Sequence, residues 1–253
     1  MAQENPVLVP DRLLELSREF GKREWTILGE GNTSGRIDEK IFAVKASGSS
    51  LGTLTEIELT HCYFDRLLPL LDREDVTEQE IEDHLWASRV SKVSLKPSVE
   101  TFFHAHLLTL PGVNFVGHTH PISVNQVLCS PMGNSFARER RFPDEVVCCG
   151  PVSLLIGYED PGLALAQRIR REVGDFLHEH KKFPKVILLA NHGVITMGPS
   201  AESVRVAMAM TVKAAEIFVG AQSLGGNVAM PAAEVSRIEN RLDEEYRRKM
   251  LRV

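Results

Sequence analysis

No apolar stretch reaches the roughly 18–20 residues that a membrane-spanning helix needs, and residues 1–12 show no basic segment followed by an apolar run of the kind that opens a secretory leader. A cytoplasmic protein with no membrane contact is the expectation. Net charge is −5, and no lysine- or arginine-rich stretch is interleaved with aromatics, so nucleic acid is not an expected partner. The short basic runs ArgGluArgArg at 138–141 and ArgArgLys at 247–249 read as solvated faces. Cysteine is sparse: Cys62, Cys129, Cys148 and Cys149 contain no CxxC pair. The four read as reduced core residues, with the adjacent Cys148 and Cys149 on a buried strand. Internal repeats, linkers and low-complexity segments are absent as well.

What is present suits an ordinary globular chain: 253 residues, 43% apolar and 25% charged. One domain over 1–253 is expected, with a C-terminal helical extension at about 231–253. Apolar spacing predicts helices over 11–23, 61–72, 78–90, 162–181, 201–219 and 233–251. Strands are predicted at 25–28 and 41–45 around a glycine-rich turn, then at 114–118, 152–156, 186–190 and 194–197. Ser98 is positioned to cap a further helix through 101–108, which ProGly at 111–112 ends and which holds Glu100 in its first turn. The order of elements favours a mixed sheet with helices on both faces.

Nine histidines are sorted by geometry. His118 and His120 lie two apart at the end of a predicted strand, where residues i and i+2 share a face and both rings can reach one ion. His178 and His180 have that spacing inside a predicted helix and diverge, and His104 and His106 cannot both serve one ion either. His192 follows a five-residue apolar run and precedes Gly193, so it too stands where a buried strand meets a loop. Three imidazoles converging from separate strands would leave a coordination position open, as catalytic metals require. A hydrogen-bonded HisThrHis pair and a turn histidine fit the same spacing. Glu100 reads either as a carboxylate favoured at a helix N-terminus or as a general acid/base beside an ion. The loops at 29–35 and 47–50 combine glycine with hydroxyls and can form anion-binding concavities, without matching a Walker or dinucleotide fingerprint.

Five segments together resemble the class II aldolase/adducin family: GlyAsnThrSer at 31–34, LysAlaSerGly at 45–48, ProSerValGlu at 97–100, HisThrHisPro at 118–121 and AsnHisGlyValIle at 191–195. The likeness runs from about residue 12 to about residue 222. It implies an α/β fold, a three-layer αβα sandwich around a central mixed, largely antiparallel β-sheet, commonly assembled as a homotetramer. It assigns His118, His120 and His192 to a Zn2+ ion or another divalent transition metal, with Glu100 as acid/base and possible ligand in the empty site. Asn32, Ser47, Gly48 and Ser98 match positions lining the phosphate end of the substrate pocket.

The implied activity is carbon–carbon lysis, most directly aldol cleavage of a ketose or ketose phosphate through a zinc-stabilised enediolate. Decarboxylases and an epimerase share the fold. The epimerase carries Asp where this chain has Glu100, which leans the reading toward aldolase. The adducin branch, a non-enzymatic interaction module, lacks the metal histidines. Two departures stand out. Val99 replaces the second serine of the usual ProSerSerGlu. The family's tyrosine proton donor has no clear match: Leu155 aligns there, with Tyr158 the candidate and Tyr246 a further substitute.

Overall fold

The computed structural model describes residues 9–251, leaving the side chains of Lys249 and Leu251 aside. The start of the opening segment and the last two residues of the C-terminal extension lie outside the described residues.

Seven strands form one sheet: β1 (Asn32–Arg36), β2 (Ile41–Lys45), β3 (Leu59–Tyr63), β4 (Phe115–Thr119), β5 (Leu154–Ile156), β6 (Val186–Leu189) and β7 (Gly193–Gly198). Their order is β3-β2-β1-β4-β7-β6-β5. Every neighbouring pair is antiparallel except β5–β6, which is parallel. That pair needs a crossover, supplied by a helix over Leu163–His180.

Strand alternation divides the apolar residues into two cores. Phe115, Val186, Leu188 and Val194 face one side with α1 (Val9–Phe20) and the later long helix over Ala201–Gln222. Val116, Ile187, Leu189 and Ile195 face the other, against the helices over Thr101–Leu108 and Leu163–His180. In chain order the remaining helices are α2 (Glu78–Ser88), α3 (Thr101–Leu108), α4 (Ile122–Leu128), α5 (Gly133–Arg138), α6 (Pro143–Cys149), α7 (Leu163–His180), α8 (Ala201–Gln222), α9 (Ala232–Glu239) and α10 (Leu242–Leu251). The result is the expected αβα sandwich around a mixed, mostly antiparallel sheet. No described helix is long and apolar enough to cross a membrane.

Several expectations are corrected. TrpThrIleLeu at 25–28 is a loop, and the glycine-rich segment expected to turn is itself strand β1. Its residues have weak strand preference, but pairing with β2 and β4 on both sides overrides it. The helix expected over 61–72 is strand β3 followed by two short 3-10 turns, Phe64–Arg66 and Leu68–Asp72. Cys148 and Cys149 end α6 rather than lying on a strand, and Cys129 is exposed, not core. The helix expected over 233–251 is two helices, α9 and α10. Arg140 is no solvated face: at 2% exposure it donates to the carbonyls of Ala137 and Gly150 and to Ser153 Oγ, which satisfies the ends of α5 and α6. Helix α3 begins at Thr101, so Glu100 occupies the flanking cap position instead of the first turn. Ser98 serves the entry by accepting the Glu100 N–H at 3.3 Å.

Candidate metal centre

His118 sits on β4 on the α3 side of the sheet, fully buried with the rest of that strand. Extended backbone continues past the strand because the His120 N–H donates to the Trp25 carbonyl and the Ile122 N–H to that of Glu24. The i, i+2 relation therefore holds through His120. His192 lies in the tight connection from β6 to β7, where Leu189 and Gly193 pair across the turn. Asn191 adopts φ +55°, a left-handed conformation asparagine tolerates, and the Asn125 side chain donates to the His192 carbonyl at 3.0 Å. Gly193 admits no side chain here, since a Cβ would lie 2.6 Å from both His120 Cδ2 and the Thr119 carbonyl.

The three rings form a triangle, with centroids 4.7, 4.9 and 4.9 Å apart and planes inclined at 67–79°. His118 Nδ1 is 3.1 Å from the Val194 carbonyl and His120 Nδ1 is 3.3 Å from Glu30 Oε2, so both Nε2 atoms face inward. Those two Nε2 atoms are 2.9 Å apart, and Glu100 Oε1 stands 3.4 Å from His118 Nε2 and 3.3 Å from His192 Nε2. Ligands of a tetrahedral ion at bond lengths of 2.0–2.1 Å are about 3.3 Å from one another. These separations bracket that value. One ligand atom from each histidine lies within 4.8 Å of the other two, so a divalent cation fits the three nitrogens with Glu100 beside them.

Electrostatics agree with that donor set. Burial alone would raise the Glu100 carboxyl, but His118 and His192 outweigh it and hold the group well below the usual carboxylate range. Burial, reinforced by the neighbouring His118 and His192, pushes His120 down to about 3, which leaves it neutral and able to ligate. The second carboxylate oxygen of Glu100 accepts from Asn32 Nδ2, directly across from His118 in the β1–β4 register. Asn32 Oδ1 is buried and has no partner among the described residues.

The other expected positions gather nearby. Gly31, at φ +72°, passes so close to β4 that a Cβ would lie 2.9 Å from the His118 carbonyl. Ser47 donates its N–H to the Lys96 carbonyl, and Ala46 bridges Pro97, which brings Ser47 and Gly48 alongside Ser98. Lys45 ties the two loops together from beneath: its ammonium donates to the carbonyls of Gly29, Ala46 and Ser49.

Tyr158 is not gathered with them. It is 57% exposed and its hydroxyl donates to Asp160, with no hydrogen bond to the histidines or Glu100. Tyr246 is exposed on α10, and Leu155 is half-buried on β5. His178 faces solvent, whereas His180 packs on Phe176. His104 is buried, hydrogen-bonded to Ser34 and stacked on Phe103, with its imidazole driven down to about 3 by burial. Glu30 and the clamping role of Lys45 escaped sequence reasoning. A glutamate inside a glycine-rich loop two residues from Asn32 was the available signal.

Residues 11–219 match the family described as Class II Aldolase and Adducin N-terminal domain. The chain is 29% identical over 188 residues to the 3-oxo-tetronate 4-phosphate decarboxylase of Haemophilus influenzae, covering 74% of this chain and 75% of that protein. It is 28% identical over 183 residues to the uncharacterized oxidoreductase YuxG of Bacillus subtilis, covering 69% of this chain but only 24% of that longer protein. In fold it is similar to an L-fuculose 1-phosphate aldolase, at TM-score 0.70 and 16% identity over 98% of each chain.

Proposed function

The chain belongs to the class II aldolase and adducin N-terminal domain family, and from that premise we propose that it is a metal-dependent carbon–carbon lyase acting on a small hydroxylated carbonyl compound. The observation that carries this reading is the meeting of three imidazoles with a nearly buried glutamate whose carboxylate stands against two of them and is held by Asn32. His118, His120 and His192 would hold Zn2+ or another divalent transition metal. When bound, that cation supplies Lewis-acid stabilisation of negative charge on substrate oxygens.

The remaining work falls to the chain itself. In aldol cleavage Glu100 takes the proton of the substrate hydroxyl whose oxygen becomes the product aldehyde. It then returns that proton to the carbon that keeps the bonding pair. Asn32 holds the carboxylate in place for both transfers. The exposed Ser47 and Gly48, beside Ser98, form the end of the pocket suited to a phosphate or carboxylate. Full burial of His118 keeps water from the inner side, while His120 and His192 retain 19% and 11% side-chain exposure where substrate enters. A homotetramer is part of this reading, and light scattering on the purified protein checks it.

Decarboxylation is the second reading. The resemblance to the H. influenzae decarboxylase favours it, and so does the lack of a clear match to the family's tyrosine, since departing carbon dioxide needs no proton donor.

Two measurements test the proposal. Metal analysis of protein purified without chelator should find close to one equivalent per chain, and less than a tenth would reject the metal centre. Products trapped from a panel of ketose 1-phosphates, free ketoses and 3-oxo acids then separate the chemistries. An aldehyde supports aldol cleavage, and carbon dioxide replaces it with decarboxylation.

A further inference from the structure

The three candidate ligands differ in what stands behind them. His118 turns its outer nitrogen to the Val194 carbonyl, and His192 Nδ1 is buried with no hydrogen-bond partner among the described residues. His120 alone has an anion there, Glu30 Oε2 at 3.3 Å. An imidazole that donates Nδ1–H to a carboxylate has its proton fixed on that nitrogen. Its ring is held in one orientation, and its Nε2 lone pair becomes more basic toward a cation.

Glu30 is itself held in place. Its Oε1 accepts the Ile27 N–H at 2.7 Å, and its own N–H returns to the Ile27 carbonyl at 3.2 Å, closing a turn in which Leu28 adopts φ +54°. Lys45 anchors the preceding residue through the Gly29 carbonyl, and Gly31, on the other side, is pressed against β4. Charge gives a second, independent argument. Three neutral imidazoles with Glu100 would offset only one of the two positive charges on a divalent cation, and Glu30 supplies the second negative charge from the solvent-facing side.

Resting on the metal reading above, we propose that Glu30 is a positioning residue that locks His120 in its ligating tautomer and increases retention of the divalent cation. The experiment measures Zn2+ affinity by competition with a chelating dye for wild type, Glu30→Gln and Glu30→Ala. It also records the visible absorption of each protein fully loaded with Co2+, and the melting temperature of each metal-free form. The alanine variant should bind Zn2+ on the order of 10–100-fold more weakly. The glutamine variant, which keeps an acceptor but not the charge, should fall between, and the Co2+ bands should shift in both. A role confined to folding the loop would lower the metal-free melting temperature and leave the Co2+ spectrum of the loaded protein unchanged. Zn2+ affinities within twofold of wild type together with unshifted Co2+ bands overturn the assignment, and the glutamine variant decides if the alanine variant does not fold. Wild-type protein that takes up neither Zn2+ nor Co2+ overturns the metal centre itself, a failure distinct from that of Glu30.

Discussion

Lys45 is 1% exposed, and burial, opposed by Glu100 and Glu58, pushes its ammonium from an ordinary 10.5 down to about 8. An unfolded chain keeps that proton to about 10.5, so between about pH 8 and 10.5 the unfolded state binds more protons than the folded one. The contribution of Lys45 to stability therefore rises with pH across that window and is lost as pH falls to 8. At about 1.4 kcal/mol per pH unit, the gap amounts to about 3 kcal/mol, absent at pH 7 and recovered near pH 10.5. Lys45→Met removes the titrating amine but also leaves the Gly29 and Ser49 carbonyls without their donor, so its offset at one pH is a mixture of effects. The pH dependence separates them. Urea unfolding of both proteins in chelator, followed by the fluorescence of Trp25 and Trp86 from pH 7 to 10.5, should show wild-type stability gaining about 3 kcal/mol on the variant. Cysteine and tyrosine titrations common to both cancel in that difference. Curves that stay parallel across the window would refute the account of Lys45 as a protonated clamp in a desolvated site.

Glu100→Gln should retain the cation and lose on the order of 10²–10⁴ in turnover, with metal content and rate measured on the same sample. Zn2+ at a hundred times its dissociation constant should stabilise the wild type by about 2.7 kcal/mol in thermal unfolding, and His192→Ala should lose that increment together with the bound metal. Gly193→Ala places a methyl 2.6 Å from His120 Cδ2 and 3.2 Å from His118 Cε1. It should weaken cation uptake while the far-ultraviolet circular dichroism stays that of the wild type.

The candidate site was more legible in the sequence than its supports were. Period-two geometry put His118 and His120 on one face because the chain stays extended to His120, and an apolar strand breaking at AsnHisGly marked His192; the family resemblance is what joined the three in one site. Strand β1 was not legible, because AsnThrSerGlyArg resembles a turn until two neighbouring strands are present to pair with it. The second half of β3, from His61 to Tyr63, was absorbed into a helical reading for the same reason: its strand character comes from β2. Arg140 and Glu30 carry charges that composition places at the surface, and only tertiary neighbours reveal that one is buried and the other faces a histidine. Tyr158 is a candidate through its nearness to Leu155 along the chain, and within one chain its hydroxyl meets Asp160.

Glu30 reaches the histidines from a loop that packs with α1 on one side of the sheet, whereas Glu100 enters from α3 on the other. The histidines themselves come from the rim of the sheet between them. The centre is thus a joint at which three layers must stay in register. Both cores are close-packed, so strain introduced in either layer is passed on to the joint, where a misplacement of an ångström costs on the order of 10²-fold in rate. Substitutions deep in either core, far from any ligand, should consequently be tolerated by the fold more readily than by the chemistry.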